Sequence, residues 1–198
     1  VGVGTGRFCD RLRQRSRLPI FPYGIDLSER MVDIAGRRVP DLVTSVGDAA
    51  DLSRHFPGRL FGLAATHFVT GYVPISAIAT MVHSRLEPGG YWSFVGGTKR
   101  AFPELQRTGD TRVFRRLFRF GERQIDDVII NPADRAEVVQ AMHDAGFSIR
   151  RIETYHPPVR FRDLDEFLDF AYTGGWLTPL VEDKSPPPAH PLDRGLLH

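Results

Sequence analysis

Three alternate glycines, Gly2, Gly4 and Gly6, open the sequence as Val-Gly-Val-Gly-Thr-Gly, a loop whose backbone can approach a ligand with no Cβ in the way. Asp26 stands twenty residues beyond Gly6 at the end of an apolar run, where a carboxylate can accept from the hydroxyls of a ribose. Asp48, in Val46-Gly47-Asp48-Ala49-Ala50, ends the next apolar run; its carboxylate can accept from the exocyclic amine of an adenine while the following backbone N–H faces a ring nitrogen. These residue types and spacings predict three strand tips around one nucleoside. A fourth apolar run ends at Thr66-His67, and an imidazole with an unperturbed pKa of ~6.5 suits a general base that takes a proton from an O–H or N–H. The plainer role for His67 is to line the pocket.

The elements that must position these groups alternate between short apolar runs and helical patterns, which argues for βαβ units, a parallel sheet and the α/β class. The glycine loop leads into a helix over 7–15 with Phe8 and Leu12 on one face. A strand is expected over 20–26, then a helix capped by Ser28 with Glu29 in its first turn, which is the simplest role for both. Further strands are expected over 42–46 and 60–66, a helix over 75–86 stopped by Pro88-Gly89-Gly90, and a strand over 91–95. Pro132 opens a helix that ends at Gly146; a late strand over 147–155 and a helical pattern within 161–180 follow. The segment 181–198, with Pro186-Pro187-Pro188, reads as a loop or frayed tail. There is no internal repeat.

The blocks VGVGTGRF, YGIDLSERMVDIA, VGDAADL and LEPGGYWSF, in this order, resemble the successive blocks of class I S-adenosylmethionine (SAM) dependent methyltransferases over roughly residues 1–97. The resemblance implies a three-layer α/β/α Rossmann-like domain over 1–180 with a mostly parallel sheet, and a helical insertion or lid at 101–125 after the fifth strand. It implies that Gly2, Gly4 and Gly6 pass under the methionine part of SAM and that Asp26 holds the ribose. Leu27 and Met31 would flank the adenine, Asp48 and Ala49 would read its edge, and Thr66 and His67 would lie near the sulfonium. Residues 147–180 are loosely similar to small-molecule and carrier-protein methyltransferases related to the biotin-pathway enzyme. In this family a strand precedes the glycine loop and a terminal antiparallel strand follows the last helix, and neither is legible here. The chain is therefore expected to be incomplete, or to take the first strand from another segment or a partner.

The bulk properties narrow the field. With 198 residues and 41% hydrophobic content the chain reads as a single domain with a sizeable core. Lys and Arg number 26 against 24 Asp and Glu, so a net +2 gives no global footprint for nucleic acid or a membrane surface. Cys9 is the single cysteine, and no apolar run approaches the ~20 residues of a membrane span, which makes a reducing cytoplasmic setting the default expectation. No Cys/His spacing suggests a metal. Arg112, Arg115, Arg116, Arg119 and Arg123 recur at helical spacing among Phe114, Leu117, Phe118 and Phe120. A solvated face is the plain reading of that stripe; the sharper one is a lid whose Arg115 and Arg119 hold a carboxylate, a phosphate or an acidic carrier. Tyr72 and Trp176 are candidate walls of an apolar acceptor pocket.

An NAD(P) dehydrogenase is the obvious rival, but its fingerprint places the third glycine one residue later and gives the Gly47-Asp48 block no role. The expected activity is methyl transfer from SAM to O or N of a small metabolite or carrier-bound intermediate. A methyltransferase-like scaffold that binds SAM or S-adenosylhomocysteine (SAH) without turnover is the alternative. Self-association stays open.

Overall fold

The computed structural model describes residues 1–100, 130–155 and 158–173. The expected basic helix at 101–125, with Arg115 and Arg119, lies outside them, as do Trp176 and the Pro-rich segment 181–198. The chain divides into two compact units, Val1–Thr154 and Tyr155–His198.

In the first unit α1 (Arg7–Arg15) starts directly after Gly6, and β1 (Tyr23–Asp26) follows. The strand begins later than the sequence suggests, because Pro19 and Pro22 lack the N–H that a ladder needs. The next helix, α2 (Glu29–Arg38), is capped as expected: Ser28 Oγ accepts from the Met31 N–H, a bond of a kind contributing about 1 kcal/mol. Val32 and Ala35 bury its inner face. After β2 (Val43–Val46) come a short 3-10 helix (Ala49–Arg54), β3 (Phe61–His67), α3 (Ile75–His83), β4 (Leu86–Val95) and α4 (Arg135–Asp144).

Among the described residues the four strands form two parallel pairs. Asp26 at the end of β1 lies opposite Val46 at the end of β2, and His67 at the end of β3 lies opposite Val95 at the end of β4. Residues 1–3 tie the pairs together: the Val3 N–H donates to the Ile25 carbonyl at 2.9 Å and the Val1 amino group to the Ala65 carbonyl at 2.8 Å. The glycine loop therefore leaves the sheet between the tips of β1 and β3. Ile25, Leu52, Val69, Val73, Ile78 and Val82 form the core below, with Trp92 and Phe147 packed against them.

Four sequence expectations need correction. The helix expected over 75–86 ends at His83, and Leu86 instead opens β4 opposite Phe61. Pro88-Gly89-Gly90 does not stop a helix but forms a bulge in β4, since Leu86 pairs with Phe61 and Tyr91 already pairs with Leu63. The late strand over 147–155 is irregular chain: Phe147 packs its ring on Trp92 and His83, while Arg151 turns to Glu153 two residues away. No strand among the described residues pairs with that segment. Helix α4 starts at Arg135, not Pro132, because the Asp134 side chain caps it through the Ala136 and Glu137 N–H groups.

The second unit contains α5 (Leu164–Thr173). Phe161 packs on Phe167 and Phe170, and Arg162 pairs with Glu166.

Candidate functional site

The three loop glycines all have left-handed φ, +66° at Gly2, +51° at Gly4 and +75° at Gly6, which only glycine adopts without strain. Their surroundings separate their roles. A Cβ on Gly2 would meet Val69 Cγ2 at 2.5 Å, and one on Gly6 would meet Ala35 and Val39 at 3.1–3.2 Å, so both are needed for close packing. A Cβ on Gly4 would meet nothing within 4 Å. Gly4 thus presents backbone to open space, as a loop that receives a ligand must.

Asp26 locks this loop to the strand tip. Its Oδ2 accepts from the Gly4 N–H at 2.8 Å, and its Oδ1 accepts from the Ser28 N–H at 3.0 Å. The carboxylate remains half-buried, with lone pairs left to accept further donors. Leu27, next in sequence, is 71% exposed, and Met31 one turn later is also exposed. Two apolar side chains in solvent beside a fixed carboxylate form a surface suited to a flat, partly apolar ring.

Asp48 follows the end of β2, with the Gly47 N–H on the Asp26 carbonyl at 2.9 Å. Its Oδ1 accepts from the Ala50 N–H at 2.8 Å and so caps the 3-10 helix, a role the sequence reading did not assign. Asp48 is exposed, and Ala49 is half-buried behind it.

At the tips of the other strand pair, Thr66 is fully buried and its Oγ1 accepts from Trp92 Nε1 at 3.1 Å. Its side chain serves the core, so only its backbone is placed to meet a ligand. His67 is half-buried between Phe8, whose ring meets it edge-to-face at 4.5 Å, and Ser93, whose Oγ lies 3.2 Å from Nε2. Burial holds the His67 pKa below its ordinary value, so the ring is neutral near pH 7. A neutral imidazole can take a proton. Phe68 then adopts φ +58°, rare for a bulky residue, and leaves its ring 67% exposed. Tyr72, four residues on, is also exposed. Thr70, fully buried, donates its hydroxyl to Asn131 Oδ1 at 3.0 Å.

The structure thus gathers the glycine loop, Asp26, Leu27 and Met31 at one tip, puts Asp48 and Ala49 at the paired tip, and places His67 across the loop. Phe8, Phe68 and Ser93 are site neighbours the sequence reading did not single out. Ser93 follows from register alone: it lies opposite Ala65, on the same face as His67 and diagonal to it. Among the described residues no three His, Cys, Asp or Glu side chains form a metal cluster, and no helix is long and apolar enough to cross a membrane.

Parallel strands, crossover helices and a glycine loop leaving the strand tips define the Rossmann-like α/β class. Within it, residues 1–90 match the family model for the methyltransferase domain. Solved structures agree on the fold. A SAM-dependent methyltransferase from Thermotoga maritima is 23% identical with a TM-score of 0.50, over 75% of this chain and 62% of its own. One from Mesorhizobium loti is 23% identical with a TM-score of 0.57, over 77% of this chain and 74% of its own. The plantazolicin methyltransferase BamL, solved with a triazolic desmethylPZN analog and SAH, is 18% identical with a TM-score of 0.55, over 73% and 52%. The chain therefore spans less than two thirds of the length of the Thermotoga protein and of BamL. A comparison with curated proteins finds no match.

Proposed function

We propose that the protein transfers a methyl group from SAM to an oxygen or nitrogen of a small metabolite or carrier-bound intermediate, leaving SAH. The observation that carries this reading is the Asp26 carboxylate, fixed on the Gly4 and Ser28 N–H groups beside the open face of Gly4. The residues present fit the cofactor. The loop of Gly2, Gly4 and Gly6 gives its methionine end a backbone cradle, and Asp26 has lone pairs left for the ribose hydroxyls. Leu27 and Met31 offer apolar surface to the adenine, with Asp48 and Ala49 at its edge. The Thr66 backbone and His67 stand where the sulfonium end would lie.

When bound, SAM supplies an electrophilic methyl on a sulfur that is a good leaving group. Most of the protein's work is then alignment: holding the acceptor atom about 3 Å from that methyl, in line and away from water. Phe8, Phe68 and Tyr72 supply apolar surface for that end of the cleft. In the tautomer whose Nε2–H donates to Ser93 Oγ, His67 keeps its Nδ1 lone pair for the proton the acceptor releases. Arg115 and Arg119 remain the candidates for an acidic group on the acceptor or its carrier.

Calorimetric titration with SAH tests the reading. Micromolar binding, ~8 kcal/mol, is expected, falling about tenfold or more in Asp26→Ala. A folded protein that binds neither SAM nor SAH overturns it. Binding with no methyl transfer across a broad acceptor panel reduces it to a scaffold role.

A further inference from the structure

The proposed methyl transfer makes no use of His55, yet its ring packs directly on Gly47, the residue before Asp48. We infer that His55, held by Ser45, is a positioning residue that sets the Gly47–Ala49 turn and thereby the discrimination of Asp48 between purine bases. The inference rests on the nucleoside reading of that turn.

Ser45 and Gly47 are two residues apart on β2 and its extension, so they share a face. His55 returns to that face from the far end of the 3-10 helix, and its Nδ1 lies 2.7 Å from Ser45 Oγ. Its ring then covers Gly47: a Cβ there would fall 2.3 Å from both Cε1 and Nε2, so residue 47 must be glycine for the ring to sit where it does. Gly47 is gripped from its other side by the Asp26 carbonyl, which accepts its N–H at 2.9 Å. The residue just before Asp48 is therefore pinned between a strand tip and an imidazole.

His55 is itself held. Its N–H donates to the Leu52 carbonyl, and its own carbonyl accepts from Arg85 Nη2 at 2.9 Å; the same Nη2 also donates to the Phe56 carbonyl. Phe56 has φ +54°, which marks the point where the chain turns away. The excursion from residue 47 to 55 is thus closed at its start by the Asp48 cap on Ala50 and at its end by the Ser45–His55 pair. Removing the pair frees the turn without touching any group proposed to meet the ligand.

The test compares SAH with S-inosylhomocysteine, in which a ring carbonyl replaces the adenine amine that a carboxylate accepts from. Wild type is expected to prefer SAH about tenfold or more, in keeping with the loss of one hydrogen bond to a charged group. In Ser45→Ala and His55→Phe that preference should fall at least threefold, and His55→Asn, which keeps a polar atom near the Nδ1 position, should recover part of it. A purely structural pair would lower thermal stability or weaken both ligands equally. An unchanged preference in folded Ser45→Ala and His55→Phe therefore overturns the inference. A wild type that binds neither ligand removes the nucleoside reading and this inference with it.

Discussion

At the tips of β1 and β2 the designated side chains are fixed by backbone N–H groups, Asp26 by Gly4 and Ser28, and Asp48 by Ala50. At the tips of β3 and β4 they are fixed by other side chains distant in sequence: His67 by Phe8 and Ser93, Thr66 by Trp92, Thr70 by Asn131. The Ser28 and Ala50 bonds are capping and turn chemistry, which constrains residue type and spacing, and the Gly4 bond adds the glycine loop to the same strand tip. The second arrangement depends on strand register and constrains little beyond shape. A fold built this way can keep one end of its cleft constant while the other changes, which suits a common cofactor and variable acceptors.

Perturbing the loop should have the largest effect on that contrast. Gly6→Ala places a Cβ at φ +75° against Ala35 and Val39, and should cost about 3 kcal/mol in urea unfolding from left-handed strain plus overpacking. If it costs nothing, the loop is not the rigid end. Next, Thr66→Val leaves Trp92 Nε1 without its acceptor and should cost about 1–2 kcal/mol, measured the same way, with SAH affinity unchanged in the folded protein.

The pH dependence of His67 sharpens the comparison further. Because its folded pKa is depressed, the unfolded chain binds the proton first as pH falls below about 6.5. Its contribution is complete above that pH and is lost as pH drops toward the folded pKa. Thermal melts at pH 7.5 and pH 5.5 should show wild type losing more stability than His67→Gln; equal losses would mean that the half-buried histidine is not held neutral. Smallest in stability terms is Leu27→Ala. At 71% exposure it should change unfolding by no more than about 0.5 kcal/mol, yet weaken SAH severalfold by calorimetry.

What the sequence made legible follows the same division. Helix α1 and the Ser28 cap of α2 fell where local rules put them, since both depend on neighbours within four residues. The start of β4 did not, because Leu86 reads equally well as the last apolar position of a helix and as a strand residue. Only its pairing with Phe61 decides. The segment 147–155 looked like a strand for its apolar positions, but a strand exists only with a partner. Asp48 was read for chemistry while its capping bond to Ala50 went unassigned, although an Asp before a helix invites it. His55 carried no motif at all; its importance appears only when the 3-10 helix brings it back over Gly47.

The doubly bonded carboxylate of Asp26 has a consequence for the speed of recognition. With each oxygen already on an amide hydrogen, the rotamer is frozen before any ligand arrives, and the entropy of fixing it was lost at folding. Under the proposed reading a nucleoside meets a stationary acceptor at this end of the cleft. Its association rate would then be governed by diffusion and orientation, with no waiting step for the protein to rearrange here.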